Sequence, residues 1–228
     1  MFSFEVTPDV KNEDIESLEV VPSFFAVTWH AKSHQCKDLD IAPLKTASFL
    51  RSKQKQVLMH LTCDLLRKHY LERVLSFLQE KQICNLFLVL GEGYEPSTSD
   101  FNSTLELIKY IREISGTYFC IGVAGFCESS EEKLKLLKEK IDAGAEFIIT
   151  QAFFDANVLK DYKENCSNIG IDVPIIPGVF AFENYKQLVN FTSMCKVKVS
   201  EDLLEHIKNN EGNEVAGVEV IKKLIQTV

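Results

Sequence analysis

The chain has 228 residues, 46% of them hydrophobic and 25% charged, with a formal net charge of -8. An apolar share of that size over that length builds a substantial core and argues against disorder, and single α/β barrels commonly reach this length. The acidic balance argues against a broad nucleic-acid or acidic-membrane footprint, which needs a concentrated basic face, so the expected partners are small molecules or proteins.

In chain order, short apolar or β-branched runs alternate with longer helical periodicities. The runs that read as strands are FSFEVT (2–7), FFAVTW (24–29), QVLMHLTC (56–63), NLFLVLG (85–91), YFCIGVAG (118–125), FIITQAF (147–153) and VPIIPGVF (173–180). Only about 17 residues separate the first two, so 13–19 is expected to form one or two helical turns. In LRKHYLERVLSFLQEK (66–81), Leu71, Val74, Leu75 and Leu78 share one stripe; in LELIKYIREI (105–114), Leu107, Ile108 and Ile111 do the same. From the second strand on, strand starts recur about every 26–33 residues, the size of one βα unit with its crossover. Strands apolar on both faces belong to a parallel sheet covered by helices. Seven in series favour a TIM-type (β/α) barrel over an open doubly wound sheet, and the absence of any Pro-, Gly- or Ser-rich linker makes residues 1–228 a single domain.

No apolar run approaches the roughly 20 residues that span a bilayer. The opening Met-Phe-Ser-Phe-Glu lacks the basic and apolar segments of a secretory signal, so a soluble cytoplasmic protein is expected. Seven cysteines, at 36, 63, 84, 120, 127, 166 and 195, include no CxxC pair, and an odd count suits reduced thiols. No metal site is expected. Cys84 and Cys120, at the edges of apolar runs, read as small buried hydrophobes.

In a barrel, function sits where strands end and βα loops begin. The polar residues at or near those ends are Glu5, Thr28, His30, His60, Thr62, Glu92 and Gln151. Each has an ordinary structural use, a threonine satisfying backbone or a histidine hydrogen-bonded in the core. Their convergence on one barrel end points instead to a concave site with a few placed polar groups. A buried amide such as Gln151 costs about 1–3 kcal/mol without partners, so it needs a structural contact or a ligand.

FSFEVTP (2–8), AVTWHA (26–31), MHLTC (59–63), LKEKIDAGAEFIITQAFFD (137–155) and IGIDVPIIPGVF (169–180), in that order, resemble the catalytic barrel of the methylenetetrahydrofolate reductase family, with coverage to about residue 226. The resemblance implies a (β/α)8 barrel that binds FAD, takes a hydride from NAD(P)H and delivers it to methylenetetrahydrofolate, giving methyltetrahydrofolate. It implies Glu5 as the general acid, Gln151 as the reader of the pterin edge and Phe191 as an aromatic stacking on folate or nicotinamide. It places Thr28 and His60 beside the flavin and Lys140 toward the cofactor phosphates.

The departures are specific. Where the family has an Arg-Gly-Asp-Pro type loop, this chain reads LVLGEGYEP, leaving Glu92 as the carboxylate if the loop shifts register. Phe126 replaces a tyrosine, and Lys133 and Leu136 stand where an Asp and an Asn are expected near the FAD ribose and adenine. The chain stops after VEVIKKLIQ without the family's eighth strand or regulatory domain. Unpaired parallel edges would need covering, so assembly as an oligomer or subunit is expected. The alternative function is a catalytically impaired member acting as a structural or regulatory subunit.

Overall fold

The computed structural model describes residues 1–34, 38–213 and 215–228. Its elements, in order, are β1 (Phe4–Val6), α1 (Asn12–Glu16), β2 (Phe25–Val27), α2 (Ala31–His34), α3 (Ala42–Ser52), β3 (Val57–Thr62), α4 (Lys68–Glu80), β4 (Asn85–Val89), α5 (Thr104–Ser115) and β5 (Cys120–Gly125). There follow α6 (Glu131–Asp142), β6 (Phe147–Thr150), α7 (Ala156–Asn168), β7 (Ile175–Ile176), α8 (Tyr185–Cys195), α9 (Glu201–Asn209) and α10 (Val215–Thr227). By packing, the chain divides into two compact units, residues 1–124 with 139–146, and residues 125–138 with 147–228.

In the first unit β1 to β5 lie in chain order, and β1 with β2, β2 with β3, β3 with β4 and β4 with β5 pair parallel. In the second, β6 and β7 pair parallel, Ile148 opposite Ile175 and Ile149 opposite Ile176. Parallel strands in chain order, with helices between them, are the connectivity of the TIM-type (β/α) barrel, here carried through seven strands. A doubly wound sheet reverses its strand order partway, and this one does not.

All seven expected strands form, each shorter than its apolar run. The most shortened is β7, because Pro174 and Pro177 bracket it and neither has an N–H to give the ladder. All six residues of β3 are buried, as a strand covered on both faces requires. The amphipathic stripes hold: Leu71, Val74, Leu75 and Leu78 of α4 and Leu107, Ile108 and Ile111 of α5 are each at most 2% exposed. Ser103 caps α5 by accepting the Glu106 N–H, while the Glu106 carboxylate accepts from the Asn102 N–H at 2.8 Å. Helix α1 is the expected single turn or so. Helix α9, which the periodicity reading did not assign, is capped by Ser200.

The second unit has its own core of Phe153, Leu159, Phe182, Leu188, Ile207, Ala216, Ile221 and Leu224. Cys84 is exposed and Cys120 half-buried, contrary to expectation, because Cys84 immediately precedes β4 and Cys120 opens β5, where the chain enters the sheet. Cys63 and Cys166 are the buried thiols among the described residues, which Cys36 lies outside. Among those residues no helix is long and apolar enough to cross a membrane, and no group of three or more His, Cys, Asp or Glu side chains is placed to hold a metal ion.

Candidate active site

In the first unit, adjacent parallel strands bring Glu5 and His60 together. Glu5 stands opposite Ala26 on β2, and Val27 stands opposite Met59, the residue before His60. Glu5 Oε2 lies 4.0 Å from His60 Nε2. His60 is 8% exposed, tilted against the Phe87 ring at 4.8 Å, and its Nε2 is a buried atom without a hydrogen-bond partner among the described residues.

Burial pushes the His60 imidazole down to about 4, with the charge of His30 adding to the effect. At neutral pH His60 is therefore uncharged, and its approach to Glu5 is no ion pair. The Glu5 carboxyl is raised above its ordinary value by desolvation, opposed by His30. Its side chain is nevertheless 68% exposed, so water reaches it and limits the rise. His30, at the exposed end of β2, is thus the titratable group that acts on both. The sequence placed it among the strand-end polar residues without giving it a role.

Thr28 is buried and donates its hydroxyl to the Val6 carbonyl at 3.3 Å, the same oxygen that accepts its backbone N–H at 3.0 Å. Thr62 does likewise toward the Leu90 carbonyl and also accepts the Asp64 N–H, both at 3.0 Å. These hydroxyls bind neighbouring strands together.

Gly91 has φ +104°, and a Cβ there would overlap the Thr62 hydroxyl and sit 2.8 Å from the Asp64 Cβ, so a side chain cannot be accommodated. Glu92 consequently lies exposed on the turn, beside Gly93, whose carbonyl accepts from Lys32 Nζ at 2.7 Å. Asp64 was not singled out by sequence; it is 3% exposed, and its Oδ1 lacks a partner among the described residues. A carboxylate directly after a barrel strand was the available signal. Lys140 is half-buried rather than fully solvated, and desolvation lowers its ammonium below the ordinary lysine value while Cys63 opposes.

In the second unit, Gln151 lies just past β6 rather than within it, and is half-buried. Its backbone N–H donates to the Gly125 carbonyl at 2.8 Å and its side-chain Nε2 to the Cys195 carbonyl at 2.6 Å. The amide therefore has a structural partner, which sequence alone left open. Phe191 is half-buried on α8, its ring stacked on Phe180 with centroids 3.7 Å apart and planes 4° from parallel. Phe126 is 47% exposed with Lys133 Nζ over its ring at 5.9 Å, and Leu136 is 54% exposed. Glu5 and Gln151 thus belong to different units.

Fold and site define an α/β protein of barrel connectivity with an acid on β1 and a neutral buried imidazole on β3. A family model, methylenetetrahydrofolate reductase, matches residues 2–228, and the chain belongs to that family. It is 30% identical over 265 residues to a probable methylenetetrahydrofolate reductase (NADH) of Oryza sativa subsp. japonica, covering 100% of this chain and 44% of that protein. It is 31% identical over 243 residues to methylenetetrahydrofolate reductase (NADH) 1 of Arabidopsis thaliana, covering 92% and 40%. A 5,10-methylenetetrahydrofolate reductase of Pectobacterium carotovorum is 29% identical over 211 residues, covering 86% and 69%. The chain spans less than half the length of those plant relatives. Among solved structures, an uncharacterized protein from Clostridium thermocellum that binds two copies of 5-methyl-5,6,7,8-tetrahydrofolic acid shares the fold, with TM-score 0.70, 15% identity and coverage of 99% and 82%.

Proposed function

We propose that residues 1–228 act as one catalytic domain reducing 5,10-methylenetetrahydrofolate to 5-methyltetrahydrofolate at the expense of NAD(P)H, through FAD. The observation that carries the reading is the Glu5 and His60 pair, an acid whose proton affinity is raised and a neutral imidazole with an unsatisfied buried nitrogen 4.0 Å away. FAD, when bound, supplies the two-electron relay between nicotinamide and folate.

The residues present fit such a group in part. His60 Nε2 is a buried polar atom awaiting a partner, and Lys140 is a partly desolvated cation suited to phosphate. Glu92, exposed on its turn, and Phe126, lacking a hydroxyl, supply less than the family pattern would.

Glu5 holds the proton that the folate ring nitrogen needs for its bond to the methylene carbon to break. That cleavage leaves an iminium carbon open to hydride, and Glu5 departs as carboxylate. A folate seated over Glu5 displaces the water that now reaches it, which strengthens the acid's hold on its proton until transfer. The acid form is lost as pH rises through the raised Glu5 pKa, so folate reduction falls on the alkaline side.

A second reading, a family member that assembles without turnover, is favoured by the exposure of Glu92, Phe126 and Leu136. The absorption spectrum of the purified chain with added FAD separates the two. A saturable flavin signal with NAD(P)H-dependent bleaching supports the enzyme; no FAD binding and no FAD-dependent thermal shift refutes it. Glu5→Gln is expected to abolish folate reduction, by about 100-fold or more, while flavin bleaching by NAD(P)H persists. Equal folate turnover in variant and parent would remove Glu5 from the acid role.

A further inference from the structure

Two buried polar atoms of the first unit, His60 Nε2 and Asp64 Oδ1, have no hydrogen-bond partner among the described residues. His60 lies on β3 and already has its place in the proposed site; Asp64 comes from the turn directly after that strand and has none. It is 3% exposed, and a carboxylate oxygen left unpaired in the interior is costly. Glu92, the carboxylate on the loop after β4, is exposed, so water satisfies it.

The hydroxyls near Asp64 are committed elsewhere. That of Thr62 donates to the Leu90 carbonyl, and that of Tyr94, a phenol within reach of the Asp64 charge, donates to the Phe101 carbonyl at 2.7 Å. The backbone holds Asp64 in place: its N–H donates to Thr62 Oγ1 at 3.0 Å and to the Leu90 carbonyl at 3.1 Å. Leu65 follows at φ 56°, a left-handed conformation that costs a residue with a side chain. A carboxylate fixed by strained backbone and left without a donor is arranged for one from outside the chain.

A Cβ on Gly91 would overlap the Thr62 hydroxyl and stand 2.8 Å from the Asp64 Cβ, so the Thr62 and Asp64 side chains adjoin. Alternation along β3 puts Thr62 on the face of His60. The loop carrying Gly91 therefore lies on Asp64. It is tied down by Lys32, whose Nζ donates to the Gly93 carbonyl at 2.7 Å across the end of β3, the strand between β2 and β4. That single tie is exposed, and Gly91 and Gly93 hold φ 104° and 65°, so the loop has two glycine pivots.

We propose that Asp64 is a binding residue for the flavin: with the Lys32-tied loop turned aside, its Oδ1 accepts a hydrogen bond from the flavin ring N–H or from a hydroxyl of the ribityl chain. A carboxylate takes only donors, and these are the donors that part of the cofactor offers. A strand advances about 3.3 Å per residue, so the Asp64 backbone lies within about 13 Å of that of His60, inside the length of a flavin ring with its ribityl chain. The inference rests on the flavin reading and adds to it an anionic contact just past the strand that carries His60.

The test is fluorescence titration of the full chain with FAD and with lumiflavin, which has the ring and no ribityl chain, together with thermal denaturation of each variant without ligand. Asp64→Ala is expected to raise the Kd for FAD about 10-fold or more and to leave the flavin-free Tm unchanged or higher, because an unpaired buried acceptor is gone. Asp64→Asn keeps one accepting oxygen without the charge; it is expected to raise Kd about 3-fold and carries the test should Asp64→Ala fail to fold. Loss for both ligands assigns the donor to the ring N–H, and loss for FAD alone assigns it to the ribityl chain. A purely structural carboxylate would lower Tm and leave Kd of the folded protein unmoved. Parent-like FAD affinity in both variants overturns the inference and leaves the flavin reading standing; no FAD binding by the parent overturns both.

Discussion

His60 gives a prediction whose size follows from its surroundings. The imidazole is 8% exposed, and burial takes its pKa from 6.5 to about 4. The folded state thus binds a proton less readily than the unfolded chain. Stability from this group is full above pH 6.5, falls as the unfolded chain protonates first, and is gone below about pH 4. At about 1.4 kcal/mol per pKa unit the full swing is about 3 kcal/mol, of which about 2 kcal/mol is lost between pH 7 and pH 5. In His60→Asn that loss should vanish. Urea unfolding of parent and variant at pH 7 and pH 5 measures it, and with a slope of ~2 kcal/mol/M the parent's midpoint should fall roughly 1 M further than the variant's. The Glu5 carboxyl, held above its ordinary value, works in the opposite sense and is present in both proteins, so the difference between them isolates His60. An equal pH response in the two would refute the claim that His60 is neutral because it is buried. An added ligand that pairs with Nε2 should raise stability in the parent more than in the variant.

Other expectations follow from single contacts. Arg112 is 17% exposed at its side chain and donates to the carbonyls of Gly116, Phe119 and Gly144 and to the Glu146 carboxylate. Arg112→Met should therefore cost about 3–5 kcal/mol in urea unfolding, by leaving those acceptors unpaired; a loss under about 1 kcal/mol would show the network to be dispensable. Gly178→Ala would drive a Cβ into the Thr150 carbonyl oxygen and to 3.3 Å from the Gln151 carbonyl carbon, so it should cost about 1–3 kcal/mol and weaken folate binding together. Unchanged thermal stability would show that the β6 end yields easily. Among the described cysteines, Cys84 should react first with an exposed-thiol reagent in the native protein, read by peptide mass. Cys63, buried and pushed up to about 12, should react only on unfolding, and early Cys63 labelling would contradict its burial.

The amino-acid sequence by itself determined the number, order and type of the strands, because a parallel strand covered on both faces must be apolar throughout and its crossover needs a helix of predictable length. It also marked the acid, the imidazole and the amide as polar residues at or near strand ends; in the structure Glu5 lies within β1, His60 within β3 and Gln151 just past β6. Strand ends and side-chain partners were decided by tertiary contact. Pro174 and Pro177 cut β7 to two residues only once a ladder exists to be cut, and Gly91 fixes its loop only against Thr62 and Asp64, about thirty residues earlier in the chain. Likewise, whether Gln151 is satisfied by ligand or by protein depends on a carbonyl 44 residues away. No local pattern encodes such a meeting, because hydrogen bonds and ring stacks between distant segments form only when the whole chain has packed.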